Sequence, residues 1–237
     1  MQTLLAIGVV LVAYLFGSIP FGLMVVKLKT GKDIREVESG RTGGTNAMRA
    51  AGLGAGLATA LLDILKGVAS VWMAQALIPG IHLVHVLAPI AAIIGHNHSI
   101  FLPEFDENRK FVRLRGGAGG APALGGAIGL WPPSILVVLP LGALTFFSIG
   151  IASVTTMSVA FFVTIAFAIR AALGLMPWID VIYGVVAGIL LIWALRPNIK
   201  KLLAGEERVV KSSLHGWLRS RHKNSKGGMD QGKGVKR

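Results

Sequence analysis

The chain has 237 residues, of which 53% are hydrophobic and 15% charged, with a mean hydropathy of +0.67. A soluble domain averages about 25% charged residues, so this composition excludes a water-soluble globule; the apolar content excludes a disordered chain, and the absence of cysteine excludes a disulfide scaffold, a thiol nucleophile and a thiolate zinc site. The 24 Lys and Arg against 11 Asp and Glu give a net charge of +13, which in so apolar a chain points to anionic membrane lipid as a partner, not nucleic acid.

The expected architecture is all-α: a polytopic membrane protein. A spanning helix needs about 20 mostly apolar residues. The first candidate runs from about Leu4 to Val26 and lacks the basic start and A-x-A site of a cleavable signal. The second runs from about Leu53 to Ile78 and the third from His82 to Gly95. A small-residue-rich fourth covers Gly116 to Trp131 and is ended by Pro132-Pro133, neither of which has a backbone donor. A fifth reaches Gly150, a sixth runs from Ser153 to Ile169 and a seventh from Trp178 to Leu195; only a softening of hydropathy over Ser148–Thr156 divides the fifth from the sixth.

Seven spans put the termini on opposite sides, and the basic residues agree. The loop after the first span, the loop after the third and the chain from Arg196 onward hold 22 of the 24 Lys and Arg, and an odd count places all three on one face. The positive-inside rule makes that face cytoplasmic, with the N-terminus outside. Residues 1–210 form the membrane domain; 211–237 are a basic cytoplasmic tail of disordered composition, able to lie on anionic headgroups.

Three segments on the basic face carry the unusual chemistry. The first is Ser39-Gly40-Arg41-Thr42-Gly43-Gly44-Thr45-Asn46-Ala47-Met48-Arg49. Its glycines allow a turn of consecutive N–H groups, a nest that binds anions and phosphate above all. Ser39, Thr45 and Asn46 add short donors, Arg41 and Arg49 add charge, and Asn46 is a candidate cap for the helix that follows. The alternative is a flexible loop with an ordinary cap. The second is Gly95-His96-Asn97-His98 followed by Arg115-Gly116-Gly117-Ala118-Gly119-Gly120, a glycine turn that is not a Walker A loop. His96 stands at a span end, as an acid–base candidate or a helix-end hydrogen bonder. No carboxylate pattern makes a metal site of His96 and His98. The third is Asn198-Ile199 through Gly205-Glu206-Glu207, just past the last span. Asp63 and Lys66, three residues apart, share a helix face inside the second span as an intramembrane pair. Asp180, near the outer end of the seventh span, is expected to be interfacial, and His82 and His85, also near the outer face, to be uninvolved. There is no G-x-S-x-G elbow and no H-x-x-x-x-D pattern at His96.

Taken in order, Gly17-Ser18-Ile19-Pro20-Phe21-Gly22, Ser39-Gly40 through Thr45-Asn46 and Arg49, Asp63-Ile64-Leu65-Lys66-Gly67, Gly95-His96, the glycine turn, and Asn198-Ile199 with Gly205 and Glu207 closely resemble the bacterial acyl-phosphate:glycerol-3-phosphate acyltransferases, the PlsY family. The resemblance covers about residues 1–210. It implies a seven-span inner-membrane enzyme that moves a fatty acyl group from acyl phosphate to the 1-hydroxyl of sn-glycerol 3-phosphate, releasing phosphate and forming lysophosphatidic acid, with no cofactor and no metal. The enzyme that makes acyl phosphate is an implied partner. Ser39, Arg41, Gly43, Gly44, Thr45, Asn46 and Arg49 are then expected to hold a phosphate in the first turn, and Arg115, Gly116, Gly117 and Gly119 one in the second. Asn198 and Glu207 complete the site, His96 is the candidate proton carrier with a substrate phosphate as the alternative base, and Asp63 and Lys66 support. Acyl phosphate is already activated, so positioning and charge stabilisation can supply the rate.

The chain departs from the family pattern at four places. Ala118 stands where the family has lysine, Leu195 where it has histidine, and about eight extra residues, Phe105 to Val112, precede the glycine turn. Arg41 stands where asparagine is usual. Either Arg41 or one of Arg109, Lys110 and Arg113 replaces the missing cation, or the site has decayed into a binding paralogue. A small organic-phosphate transporter is the third reading.

Overall fold

In the computed structural model of the chain, residues 1–210 and 213–218 are described. The expected basic tail, 211–237, lies outside them apart from 213–218. The first apolar run is two helices, α1 (Gln2–Ser18) and α2 (Phe21–Thr30). Pro20 separates them, because proline lacks a donor and pushes the preceding residue out of the helical region. After α2 come α3 (Gly44–Ala51), α4 (Leu53–Leu77) and α5 (His82–Asn97). Two short strands, β1 (Pro103–Phe105) and β2 (Phe111–Leu114), lead to α6 (Gly120–Leu130), α7 (Ile135–Ile149), α8 (Ala152–Ala172), α9 (Trp178–Ala194) and α10 (Arg196–Leu203).

Every apolar segment read from the sequence is helical, but their lengths differ. The α1–α2 run, α4, α8 and the segment Pro132–Ile149 are long and apolar enough to cross a bilayer; α9 with α10, bent by 68°, makes a fifth. Helices α5 and α6, 16 and 11 residues long, are shorter. The fourth segment shrinks because Gly116–Gly119 form a turn and the helix starts only at Gly120.

The all-α expectation needs one correction. The extra residues form an antiparallel hairpin pairing Glu104 with Arg113 and Phe105 with Phe111. The Asp106 carboxylate accepts from the Lys110 N–H at 2.8 Å, and Arg109 takes a φ of 59°. An aspartate that bonds its own backbone favours a turn over a helix.

The bundle closes on small residues. A Cβ on Gly95 would collide with the Tyr14 carbonyl and Ser18, joining α5 to α1; one on Gly67 would stand 2.8 Å from the Gly126 nitrogen, joining α4 to α6. Small residues that let helix backbones touch are the usual device of apolar bundles. Around these seams pack Ile90, Ile93, Leu124, Phe167, Tyr183 and Leu191. Large apolar residues such as Leu57, Leu136, Phe161 and Ile189 face outward, as a lipid-facing surface requires. At one end of the bundle His82 Nε2 lies 2.7 Å from Asp180 Oδ1. Asp180 is 2% exposed, so it is buried instead of interfacial, and His85 is buried beside it at 6%.

The opposite end gathers the basic segments. The Arg115 guanidinium donates to the carbonyls of Arg35 and Gly40, and Arg208 pairs with Glu38. Gly125 tests the seam: Gly125→Val would push a branched side chain into Ile64 and Gly67. It should destabilise the protein by about 1–3 kcal/mol, the usual cost of overpacking, read as a lower midpoint of thermal unfolding in detergent, while Gly174→Val, at a glycine with open space but positive φ, should lose less.

Candidate active site

At this end a cavity of about 210 Å³ opens among α3, α4, α5, α6, α8 and the chain around α10. The loop of the first motif forms one wall. The Asp33 carboxylate accepts from the Arg35 N–H at 2.8 Å and starts a short turn over Ile34–Glu36. Gly40, at φ 64°, reverses the chain. The Asn46 amide nitrogen then donates to the carbonyls of Ile34 (3.2 Å), Val37 (2.9 Å) and Arg41 (2.9 Å). Asn46 therefore lines the cavity and holds the loop in shape. It does not cap α3, whose N-cap is Gly43 with no side-chain bond. Ser39, Gly43, Gly44, Thr45 and Arg49 line the cavity as well. The first turn of α3 faces it, a place where N–H groups and the helix dipole favour an anion.

Arg41 crosses the cavity. Its guanidinium donates to the carbonyl of Gly117 (3.3 Å), to Asn198 Oδ1 (3.3 Å) and to the Ala194 carbonyl. Burial pulls this guanidinium below its ordinary pKa, and the nearby Glu207 carboxylate opposes the shift. Arginine titrates so high that the group stays a cation. Ala118 and Leu195, the two apolar departures, line the same cavity. Arg41 thus carries positive charge to the wall they leave without any. The insertion does not supply it: Arg113 pairs with Glu104, and Arg109 and Lys110 are exposed on the hairpin turn.

The C-terminal wall is a chain of bonds. Asn198 Nδ2 donates to Glu207 Oε1 at 2.9 Å, and Ser153 Oγ donates to the same oxygen at 3.0 Å. Ser153, 3% exposed at the start of α8, and Thr156 beside it line the cavity. Motif reasoning missed both. Their only trace in the sequence is the softened hydropathy before α8.

The floor holds the buried charges. Lys66 Nζ lies 2.9 Å from Asp63 Oδ1, and His96 Nδ1 lies 3.5 Å from the same oxygen. Asp63 and His96 line the cavity, whereas Lys66 stands behind them and donates to the Ile19 carbonyl at 3.1 Å.

Three residues expected to hold phosphate lie off the cavity. The Gly116 carbonyl accepts from the Thr42 N–H (3.3 Å), and the Gly117 N–H donates to the His96 carbonyl (2.8 Å). A Cβ on Gly117 would strike the His96 ring. Arg115 reaches back to Arg35, Gly40 and Glu104. These residues shape the wall; of the three glycines expected to hold the second phosphate, only Gly119 lines the cavity itself. Among the described residues, no group of three or more His, Asp or Glu is placed to hold a metal ion.

A buried cation, a helix start and hydrogen-bonding side chains at the end of an apolar bundle define a membrane protein that handles an anion. Comparison gives the class. The profile described as Glycerol-3-phosphate acyltransferase matches residues 7–205. A glycerol-3-phosphate acyltransferase of Rubrobacter xylanophilus is 39% identical, covering 86% of this chain and 95% of the relative. One of Chlorobium phaeobacteroides is 32% identical over 91% of this chain and all of the relative. The crystal structure of PlsY (YgiH), an integral membrane glycerol 3-phosphate acyltransferase in its glycerol 3-phosphate form, superposes with a TM-score of 0.73 at 30% identity, covering 86% of this chain and 95% of that one. Its lysophosphatidic acid form gives 0.71 at 28% identity, over 87% and 96%. The chain belongs to the glycerol-3-phosphate acyltransferase family, and it is an integral membrane acyltransferase.

Ser153 gives the first test of this geometry. Ser153→Ala removes one of two donors to Glu207 and should lower kcat about tenfold, the scale of one hydrogen bond to a charged group. Ser153→Thr, which keeps the hydroxyl, should recover most of the rate.

Proposed function

We propose that the protein transfers a fatty acyl group from acyl phosphate to sn-glycerol 3-phosphate, the first acylation of phospholipid synthesis. The supporting observation is the convergence of Arg41, Arg49, the first turn of α3 and the Asn198–Glu207 pair on one cavity. Both substrates carry phosphate, and the cavity concentrates cations and N–H donors where phosphate groups would sit. The glycerol 1-hydroxyl oxygen attacks the acyl carbonyl carbon. The new C–O ester bond forms as the bond from that carbon to the phosphate oxygen breaks, and phosphate leaves. His96, on the cavity floor with Nδ1 toward Asp63, takes the hydroxyl proton in this reading. Arg41 and the α3 turn stabilise the charge on the departing phosphate.

The apolar bundle leaves the acyl chain in lipid while the headgroups react at its end. The same reading has seven crossings, the N-terminus outside and the basic, cavity-bearing end in the cytoplasm of a bacterium with the protein in its inner membrane. It takes anionic lipid as surroundings and the acyl-phosphate-producing enzyme as a partner. The charge distribution supports the orientation, and the likeness to PlsY, an integral membrane protein, supports the membrane setting.

The decisive assay offers glycerol 3-phosphate with palmitoyl phosphate, acyl-CoA or acyl carrier protein to the purified protein in lipid. Equimolar phosphate and lysophosphatidic acid with palmitoyl phosphate alone is the expected result; binding of glycerol 3-phosphate without turnover from any donor would overturn the reading. Arg41→Asn should lower kcat/KM by one to two decades, the loss of about 1.5–3 kcal/mol of charge-assisted contact, and adding Ala118→Lys should restore most of it. His96→Gln should lower kcat about a hundredfold; a change of only a few-fold would assign the proton to the departing phosphate.

A further inference from the structure

The hairpin of β1 and β2 is not absorbed by the cavity. Phe105 and Phe111 face each other across the strands, their rings 6.3 Å apart in a T-shaped contact, yet they are 56% and 60% exposed. Val112 beside them and Ile100 and Phe101 at the root of the hairpin are exposed as well. Five exposed large apolar residues on so short a hairpin and its root are more than a water-facing loop carries. Glu104 and Arg113, the next cross-strand pair, neutralise one another across the register shift that separates them from Phe105 and Phe111. At the turn stand Arg109 and Lys110, exposed and without an ion-pair partner among the described residues.

The root fixes the height of this element. Ser99 Oγ donates to the Ser18 carbonyl at the end of α1, and Tyr14 Oη donates to the His98 carbonyl at the end of α5. The hairpin therefore springs from the level at which the apolar helices stop, continuous with their outward-facing side chains. Aromatic rings beside arginine and lysine at that level are the composition of a segment lying in the boundary between headgroups and acyl chains.

We propose that this hairpin is a membrane-seated finger: its Phe105–Phe111 face enters the leaflet next to the cavity, and Arg109 and Lys110 hold anionic headgroups there. The occupant of the apolar face is lipid, because the hairpin continues the lipid-facing surface at the level where the helices stop, and Arg109 and Lys110 reach the headgroups from a turn whose Asp106 and Glu107 leave it without net charge. Arg115 links the finger to the first motif, pairing with Glu104 at 3.5 Å while donating to the Arg35 carbonyl at 3.1 Å and the Gly40 carbonyl at 3.4 Å. Lipid seating is thereby coupled to the loop that carries Arg41. This inference rests on the membrane reading of the helical bundle but not on the identity of the acyl donor.

The native chain has no cysteine, so single cysteines can be labelled without background. Phe111→Cys and Asn108→Cys, each carrying a nitroxide, are placed in nanodiscs of phosphatidylglycerol and phosphatidylcholine or of phosphatidylcholine alone. Oxygen should relax the label at 111 more strongly than a water-soluble nickel chelate does, with the reverse at 108. Neutral nanodiscs, or R109Q/K110Q in anionic ones, should at least halve the oxygen-to-nickel ratio at 111. Nickel relaxation at 111 equal to that at 108 in both lipids would overturn the proposal, and so would shielding from both relaxants only when other membrane proteins are present, which would mean a protein occupant. Acyl transfer measured on the same samples separates this outcome from a failure of the enzyme reading, because neither labelled position lines the cavity.

Discussion

The ion cluster Asp63–Lys66–His96 is the constraint on which the rest of the structure depends. Asp63 and Lys66 are each 1% exposed inside the second apolar helix. Charges at such depth are tolerated only when paired and bonded. Lys66 meets this demand through Asp63, the Ile19 carbonyl and the face of the Phe21 ring, 5.5 Å away. The pair therefore clamps α4 to the break between α1 and α2. That break turns α2 aside and carries the first-motif loop over the end of the bundle. Asp63 also turns toward His96, so the groups that solve a desolvation problem form the cavity floor.

Above this floor, holding and acting are divided among neighbours in sequence. Asn46 spends its amide donors on three carbonyls and Gly116 and Gly117 spend their backbone on Thr42 and His96, while Arg41, one turn of chain away, reaches into the cavity. Such division follows from burial. A loop folded into the end of an apolar bundle must satisfy its own polar backbone before it offers anything to a ligand. Ser153, Glu207, Asn198 and Arg41 form one continuous chain of bonds, so the C-terminal segment is part of the wall although it lies more than 150 residues from the first loop.

Most of the helices were legible because each buries or exposes apolar residues along its whole length, and hydropathy reads that directly. The motif loops were legible from residue type: glycines, arginines and asparagines without apolar neighbours have few structural explanations. The hairpin was not legible, since three- and four-residue strands leave no periodicity to count. Nor was the shortness of α6, because glycines of a turn and glycines of a helix seam look the same in sequence. Ser153 and Thr156 stayed hidden for a related reason: in an apolar helix a hydroxyl most often bonds its own backbone, as Thr156 also does to Ala152.

The sequence by itself determined the class of this protein. Too few charges for a soluble surface, apolar segments, 22 of 24 basic residues in three of the stretches between and after them, and an ordered set of anion-binding motifs require a membrane protein that handles phosphate. Tertiary structure decided which motif residues reach the cavity, that Arg41 occupies the wall left apolar by Ala118 and Leu195, and that Asp63 serves His96 as well as Lys66. Composition and spacing act along the chain, whereas these outcomes depend on where side chains from distant segments meet and which of their donors the backbone has already taken.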